Sequence, residues 1–112
     1  MVKNFFIAEK KESLQSIMQK IVINGHRGVI VVEKKKVLGI ITEGDILKSL
    51  VDNKIINSFA ENIMNKSFKF LKKKDMKKAK EIFASHLCSF IPVVNDQMEL
   101  KDLITLKQIL SK

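Results

Sequence analysis

Gly39-Ile40-Ile41-Thr42-Glu43-Gly44-Asp45-Ile46 reads as the end of a strand running directly into a helix. The apolar, β-branched run suits a buried strand and Thr42 suits a helix cap. Just upstream, Val29-Ile30-Val31-Val32 and Val37-Leu38-Gly39-Ile40-Ile41 flank Glu33-Lys34-Lys35-Lys36, the pattern of a hairpin of two buried strands. Before the hairpin, Leu14, Ile17, Met18, Ile21 and Val22 recur at helical spacing after a capping Ser13, and Asn24-Gly25 ends that helix. Phe5 to Ala8 supplies a short opening strand, and Ile46, Leu47, Leu50 and Val51 line the closing helix.

The same order then returns. Phe68 to Leu71 is a predicted short strand, and Asp75 caps a helix carrying Met76, Ala79, Phe83 and Leu87. Phe90 to Val94 and Glu99 to Ile104 form a second hairpin, and Leu106, Ile109 and Leu110 line a closing helix. Ile30-Val31-Val32 meets Pro92-Val93-Val94 at a separation of 62, and Gly39-Ile40-Ile41-Thr42 meets Asp102-Leu103-Ile104-Thr105 at 63. One inserted residue, in the hairpin turn, accounts for the difference. The chain is therefore one β-α-β-β-α unit written twice. The repeats are expected over 1–51 and 62–112, with 52–61 as a polar linker that uses Ile55, Ile56 and Phe59 as packing points. Neither half is expected to bury enough surface alone, so an α/β fold is predicted in which the two units pack sheet to sheet with pseudo-two-fold symmetry.

Composition narrows the function. The 112 residues are 46% hydrophobic and 29% charged, with 21 basic against 12 acidic side chains and a formal charge of +9. No apolar stretch approaches the ~20 residues that cross a bilayer, and no apolar signal segment opens the chain, so a soluble, cytoplasmic protein without membrane insertion is expected. One cysteine, Cys88, excludes an internal disulfide, and two histidines, His26 and His86, leave too few soft ligands for an ordinary zinc site. Arg27 is the one arginine and Tyr and Trp are absent, so the charge reads as solubility rather than as a nucleic-acid surface. Lys34 to Lys36 and Lys72 to Lys74 read as solvated turns, a basic face for an acidic partner being the alternative. His86 and Cys88 form an i, i+2 pair with no third group, and there is no glycine-rich phosphate loop. No catalytic constellation is evident.

The tandem unit resembles a CBS-domain pair, or Bateman module, across essentially the whole chain. The residues that carry the likeness are Gly39 to Ile46, the Phe90-Ile91-Pro92-Val93-Val94-Asn95-Asp96 strand and turn, and Asn62-Ile63-Met64. The resemblance implies a non-catalytic regulatory module that requires no cofactor. Such a module binds AMP, ADP, ATP or S-adenosylmethionine between the repeats and passes occupancy to a partner.

It also implies site roles. The first turn of a helix, with free N–H groups and a favourable dipole, suits an anionic phosphate. Thr42 adds a hydroxyl there, and Asp45 can accept from a ribose diol. The same two residues also make an ordinary N-terminal helix signature. Ser89 is expected to face the ligand held by Asp45, Arg27 to serve the cleft beside Gln108 or else to be a solvated helix-end cation, and Ile7 and Ala8 to meet adenine or else to be plain core. In the second copy Gln108 replaces Asp45 and Asp102 replaces Gly39, so at most one good site per chain is expected. The surplus of apolar helix residues, with the family's habit, points to a homodimer. The regulated partner is expected to be a downstream or separate enzyme or transporter, for instance a nucleotidyltransferase, and the chain to be either stand-alone or the front of a longer one. A ligand-free dimerisation scaffold with degenerate sites is the alternative reading.

Overall fold

In the computed structural model, residues 2–52, 58–86 and 88–111 are described; Ile55, Ile56 and Leu87, given packing roles above, lie outside them. A 3-10 turn at Asn4–Phe6 leads into β1 (Ile7–Ala8), α1 (Leu14–Asn24), β2 (Gly28–Glu33), β3 (Lys36–Thr42) and α2 (Glu43–Val51). A short α3 (Ala60–Ile63) follows, then α4 (Met76–Ser85), β4 (Phe90–Val94), β5 (Leu100–Thr105) and α5 (Leu106–Leu110). No helix among the described residues is long and apolar enough to cross a membrane.

Local chemistry sets the boundaries. Ser13 accepts from the Ser16 N–H at 3.2 Å to start α1, and Gly25, at φ 69°, closes it by donating to the Ile21 carbonyl. Thr42, Asp75 and Thr105 accept backbone N–H bonds in the same way at the starts of α2, α4 and α5. The β2–β3 hairpin turns on Lys34 and Lys35 alone, both left-handed at φ 50° and 72°. A register shift at Val31/Val32 in the first hairpin recurs at Val93/Val94 in the second, so the duplication extends to the irregularities.

The strands form a three-stranded sheet, β1-β2-β3, and a two-stranded one, β4-β5. Ala8, Ile17, Val29, Val31 and Ile41 fill the space between the first sheet and its helices, and Ala79, Ile91, Val93 and Ile104 do so in the second copy. Phe6, Ile30, Val37 and Ile40 meet Phe90, Val94 and Leu103 between the two sheets. Each such side chain, fully buried, is worth about 1.5–3 kcal/mol. This central layer is what makes two marginal halves one body. The hairpin tips are also joined through the backbone: Val37 donates to Met98 at 2.9 Å and Leu100 to Lys35 at 2.8 Å.

One expectation changes. Of the predicted strand Phe68 to Leu71, only Leu71 pairs, as a parallel bridge to Val93. The next rung of that ladder would need an N–H from residue 92, and Pro92 has none to give; Ile30 holds the matching place in the first copy, where β1 does form. The segment 58–65, which spans the end of the expected linker and the start of the second unit, packs on the first repeat. The N–H groups of Ala60 and Glu61 donate to the Glu12 and Lys10 carbonyls, Ala60 and Ile63 enter the first core, and Asn65 pairs with Ile40 on β3 at 2.8 and 3.0 Å. Gly39 permits that crossing: a Cβ there would stand 2.9 Å from the Asn65 carbonyl oxygen and 3.1 Å from the Met64 side chain.

Candidate functional site

β3 delivers Thr42 and Asp45 to the mouth of a cavity of about 240 Å³ between the repeats. Ile40, Thr42 and Asp45 form one wall, Asn65, Ser67, Phe68 and Lys69 a second, and His86, Cys88, Ser89 and Phe90 a third. A wider groove of about 670 Å³ continues from it, sharing Thr42, His86, Cys88 and Ser89 and adding Arg27, Glu43 and Gly44. Apolar walls at Ile40, Phe68 and Phe90 suit a flat ring, and the hydroxyls and the carboxylate converge near the start of α2.

Thr42 and Asp45 form a reciprocal capping box. The Asp45 N–H donates to Thr42 Oγ1 at 3.3 Å, while the Thr42 N–H and hydroxyl donate to Asp45 Oδ2 at 2.9 and 3.0 Å. Both contacts end on Oδ2, so the cap does not exhaust the carboxylate. Among the described residues Oδ1 accepts no hydrogen bond and is left for an incoming hydroxyl.

Ser89 lines the same cavity as Asp45, and its hydroxyl donates across the pseudo-two-fold axis to the His26 carbonyl. Arg27 sits on the outer groove, its side chain 77% exposed and its Nε 4.0 Å from Glu43 Oε1. Gln108 lines a different, open cavity with Lys74, Met76, Thr105, Lys107 and Ser111, to which Arg27 does not contribute. Ile7 and Ala8 are not brought to the Thr42 cavity: Ala8 has no exposed surface and faces the first core from β1. Ser67, Phe68 and Lys69, just before the second-copy counterparts Phe70 and Leu71, line it instead.

On the other side of the axis Phe6 packs across the inner part of the equivalent cleft, while an outer cavity of about 310 Å³ stays open, lined by His26, Arg27, Ser89, Leu106 and Lys107. Phe6 is 9% exposed, with its ring 5.3 Å from that of His26 and edge-on to Phe90 at 6.4 Å. Asn24 Nδ2 bridges the Phe5 and Gly28 carbonyls at 2.8 and 2.9 Å. Gln108 completes a capping box with Thr105. Burial, with Lys107 nearby as a second cause, holds the His26 imidazole below its ordinary pKa, so it is a neutral packing group near pH 7. Burial likewise pushes the Cys88 thiol up, away from a reactive thiolate. Among the described residues no cluster of three or more His, Cys, Asp or Glu could hold a metal ion.

The walls contributed by Asn65 to Lys69 and by His86 and Cys88 were not assigned as site residues from sequence. The 62-residue register carried a signal for them, since it aligns Asn24, His26 and Arg27 with His86, Cys88 and Ser89.

Protein MJ1225 of Methanocaldococcus jannaschii is 29% identical over 96% of this chain, which spans only 43% of that protein. Its crystal structure superposes with a TM-score of 0.83 at 30% identity, covering 94% of this chain and 42% of MJ1225. The CBS domain protein PAE2072 of Pyrobaculum aerophilum, solved with AMP, matches with a TM-score of 0.75 at 18% identity, over 94% of this chain and 87% of that one. The CBS domain pair of protein MJ0100, solved with 5′-methylthioadenosine and S-adenosyl-L-methionine, matches with a TM-score of 0.79 at 22% identity, over 99% and 89%. The CBS domain family model matches residues 1–52 and again 60–112. Two matches in tandem, on the two structural repeats, place the chain in the CBS domain family as a domain pair.

Proposed function

We propose that this chain is a regulatory, non-catalytic CBS pair that binds one adenosyl ligand, AMP, ADP, ATP or S-adenosylmethionine, in the cavity beside Thr42 and Asp45. The observation that carries this reading is the asymmetry of the two clefts: one is lined by the Asp45 carboxylate, whose Oδ1 accepts no hydrogen bond among the described residues, whereas in the other Gln108 holds that place and Phe6 packs on His26 across the inner part. In the first, Asp45 accepts from ribose through Oδ1, Thr42 holds that carboxylate in place with its own hydroxyl proton, Ser89 keeps acceptor lone pairs beside it, and Arg27 reaches an anionic group through the outer groove. Adenosyl compounds in PAE2072 and MJ0100 support the ligand class. Ile7 and Ala8, first assigned to adenine, yield that role here to Ser67, Phe68 and Lys69. Occupancy biases the tilt between the repeats, and a partner domain, enzyme or transporter reads that tilt.

The helices of the first repeat support self-association. Met18, Val22 and Ile23 on α1 and Leu47, Leu50 and Val51 on α2 are 40–81% exposed, a cluster that favours a homodimer through this face. Sedimentation equilibrium checks it, with Val22→Lys/Leu47→Lys expected to shift the chain to monomer.

Calorimetric titration with the four ligands tests the site. The expected result is one molecule per chain, a thermal stabilisation of about 2.7 kcal/mol at a hundredfold excess over Kd, and about tenfold weaker binding by Asp45→Asn, which keeps the cap and loses the charge. Stabilisation by none of them overturns the reading. It would favour a ligand-free dimerisation scaffold, for which the packing of Phe6 on His26 and the Gln108 cap speak.

A further inference from the structure

We infer that the outward face of α4, with the connector before it, docks an acidic polypeptide surface of a partner protein. Residues 66–80 contain Lys66, Lys69, Lys72, Lys73, Lys74, Lys77, Lys78 and Lys80 against one acidic residue, Asp75, whose carboxylate is engaged with the Lys78 N–H as the helix cap. All eight lysines are exposed. Among the described residues only Lys72 and Lys74 have ion-pair partners, Asp96 at 3.1 Å and Asp102 at 3.5 Å.

The first repeat is an internal control. It builds the same connector as Glu9-Lys10-Lys11-Glu12, whose charges balance and whose lysines pair with Glu33 and Glu61 at 2.7 and 2.8 Å. Where α4 has Lys77, Lys78 and Lys80, α1 has Gln15, Ser16 and Met18, 62 positions earlier. The fold therefore asks for none of these lysines. Within α4, Met76, Ala79, Ile82 and Phe83 face the core, so the three lysines occupy the opposite side of the first two turns. Lys77 and Lys80, three apart, cost about 0.2–0.5 kcal/mol, an effect that Glu81, the one acidic residue of α4, offsets in part, and the cation density at a helix N-terminus opposes the dipole. A cost without a folding benefit points to use elsewhere.

The chemistry selects the occupant. Lysine is a solvated point charge that complements carboxylates at a polar rim, whereas base reading and stacking draw on arginine and open aromatic platforms. Phe68 and Phe70 lie against one another, 5.8 Å between ring centres, rather than presenting separate faces. The backbone that lines the ligand cavity at Ser67 to Lys69 continues directly into this patch, so a partner bound here sits beside the cavity wall.

Fluorescence anisotropy with labelled poly-L-glutamate, single-stranded oligo-dT and phosphatidylserine vesicles tests this on the full chain. The expected outcome is saturable poly-glutamate binding that weakens about tenfold in Lys77→Glu/Lys78→Glu/Lys80→Glu and changes less than about twofold in Lys34→Glu/Lys35→Glu/Lys36→Glu, an equal change of charge. Glutamate near a helix start favours folding, and circular dichroism of Lys77→Gln/Lys78→Gln/Lys80→Gln, expected to bind at an intermediate level, confirms the helix. Equal weakening by both triple variants, or tighter binding to oligo-dT or vesicles than to poly-glutamate at the same salt, overturns the proposal.

Discussion

The Ser89 hydroxyl donates to the carbonyl of His26, a bond between the loop entering β4 and the loop entering β2. Those loops are equivalent under the internal symmetry, as are the bonds they accept: Glu43 donates to the Arg27 carbonyl at 3.0 Å and Leu106 to the Ser89 carbonyl at 2.9 Å. Of these three bonds, the serine contact is the one that crosses from one copy to the other. Ser89→Ala is expected to lower stability by about 1 kcal/mol, read as a shift of the urea midpoint with unchanged m-value. A midpoint equal to that of the parent would show the contact is not formed in solution.

Gly39 and Asp102 occupy equivalent positions with opposite tolerance. Gly39→Ala is expected to cost about 2 kcal/mol, because the new Cβ collides with the Asn65 carbonyl and strains the strand crossing. Asp102→Ala is expected to change stability by less than about 0.5 kcal/mol, since its carboxylate meets a solvated Lys74 and its own neighbour's N–H. Thermal denaturation of the two variants side by side checks the contrast.

The two-residue turn at Lys34-Lys35 places both lysines at positive φ, where Asn-Gly is the favoured pair. Replacing them with Asn-Gly is expected to stabilise the chain by about 1 kcal/mol, or about 4 °C in Tm. The backbone bond from Leu100 to residue 35 uses a carbonyl and survives the exchange.

Acid sensitivity is expected in two steps. His26 has a folded pKa below its ordinary 6.5, so between the two values the unfolded chain holds the extra proton. Its contribution is complete above about pH 7 and falls away as pH drops through 6.5. Burial tends to raise the Glu12 carboxyl, but hydrogen bonds from Ser16 and Lys20 outweigh it and the group lies below its ordinary 4.5. That contribution is present above 4.5 and is lost below it. Urea midpoints from pH 4 to 8 measure both steps, and His26→Gln is expected to flatten the upper one alone.

What could be read from sequence was what is local. The capping box of Thr42 and Asp45, the Ser13 and Asp75 caps and the Gly25 stop each depend on residues within a few positions, and all stand as read. The duplication was legible because two hairpins share one spacing. What escaped were consequences of packing the copies together. Asn65 and Lys69 became cavity wall because the chain crosses β3 before entering the second copy, and Phe6 narrows the opposite cleft because the sheets bring it over His26. The curtailed strand before α4 was half visible: Pro92 was in plain sight, but which N–H the ladder would miss depends on the register.

The bonded hairpin tips have a mechanical meaning. β3 begins at the join, with Lys36 bridged to Glu99, and ends at Thr42, on the cavity. About 20 Å of strand separates fulcrum from jaw. The molecule is thus built like tweezers: a degree or two of flexing at the clasped end moves the open end by a sizeable fraction of an ångström. That is the scale on which a hydrogen bond such as that of Ser89 is made or lost.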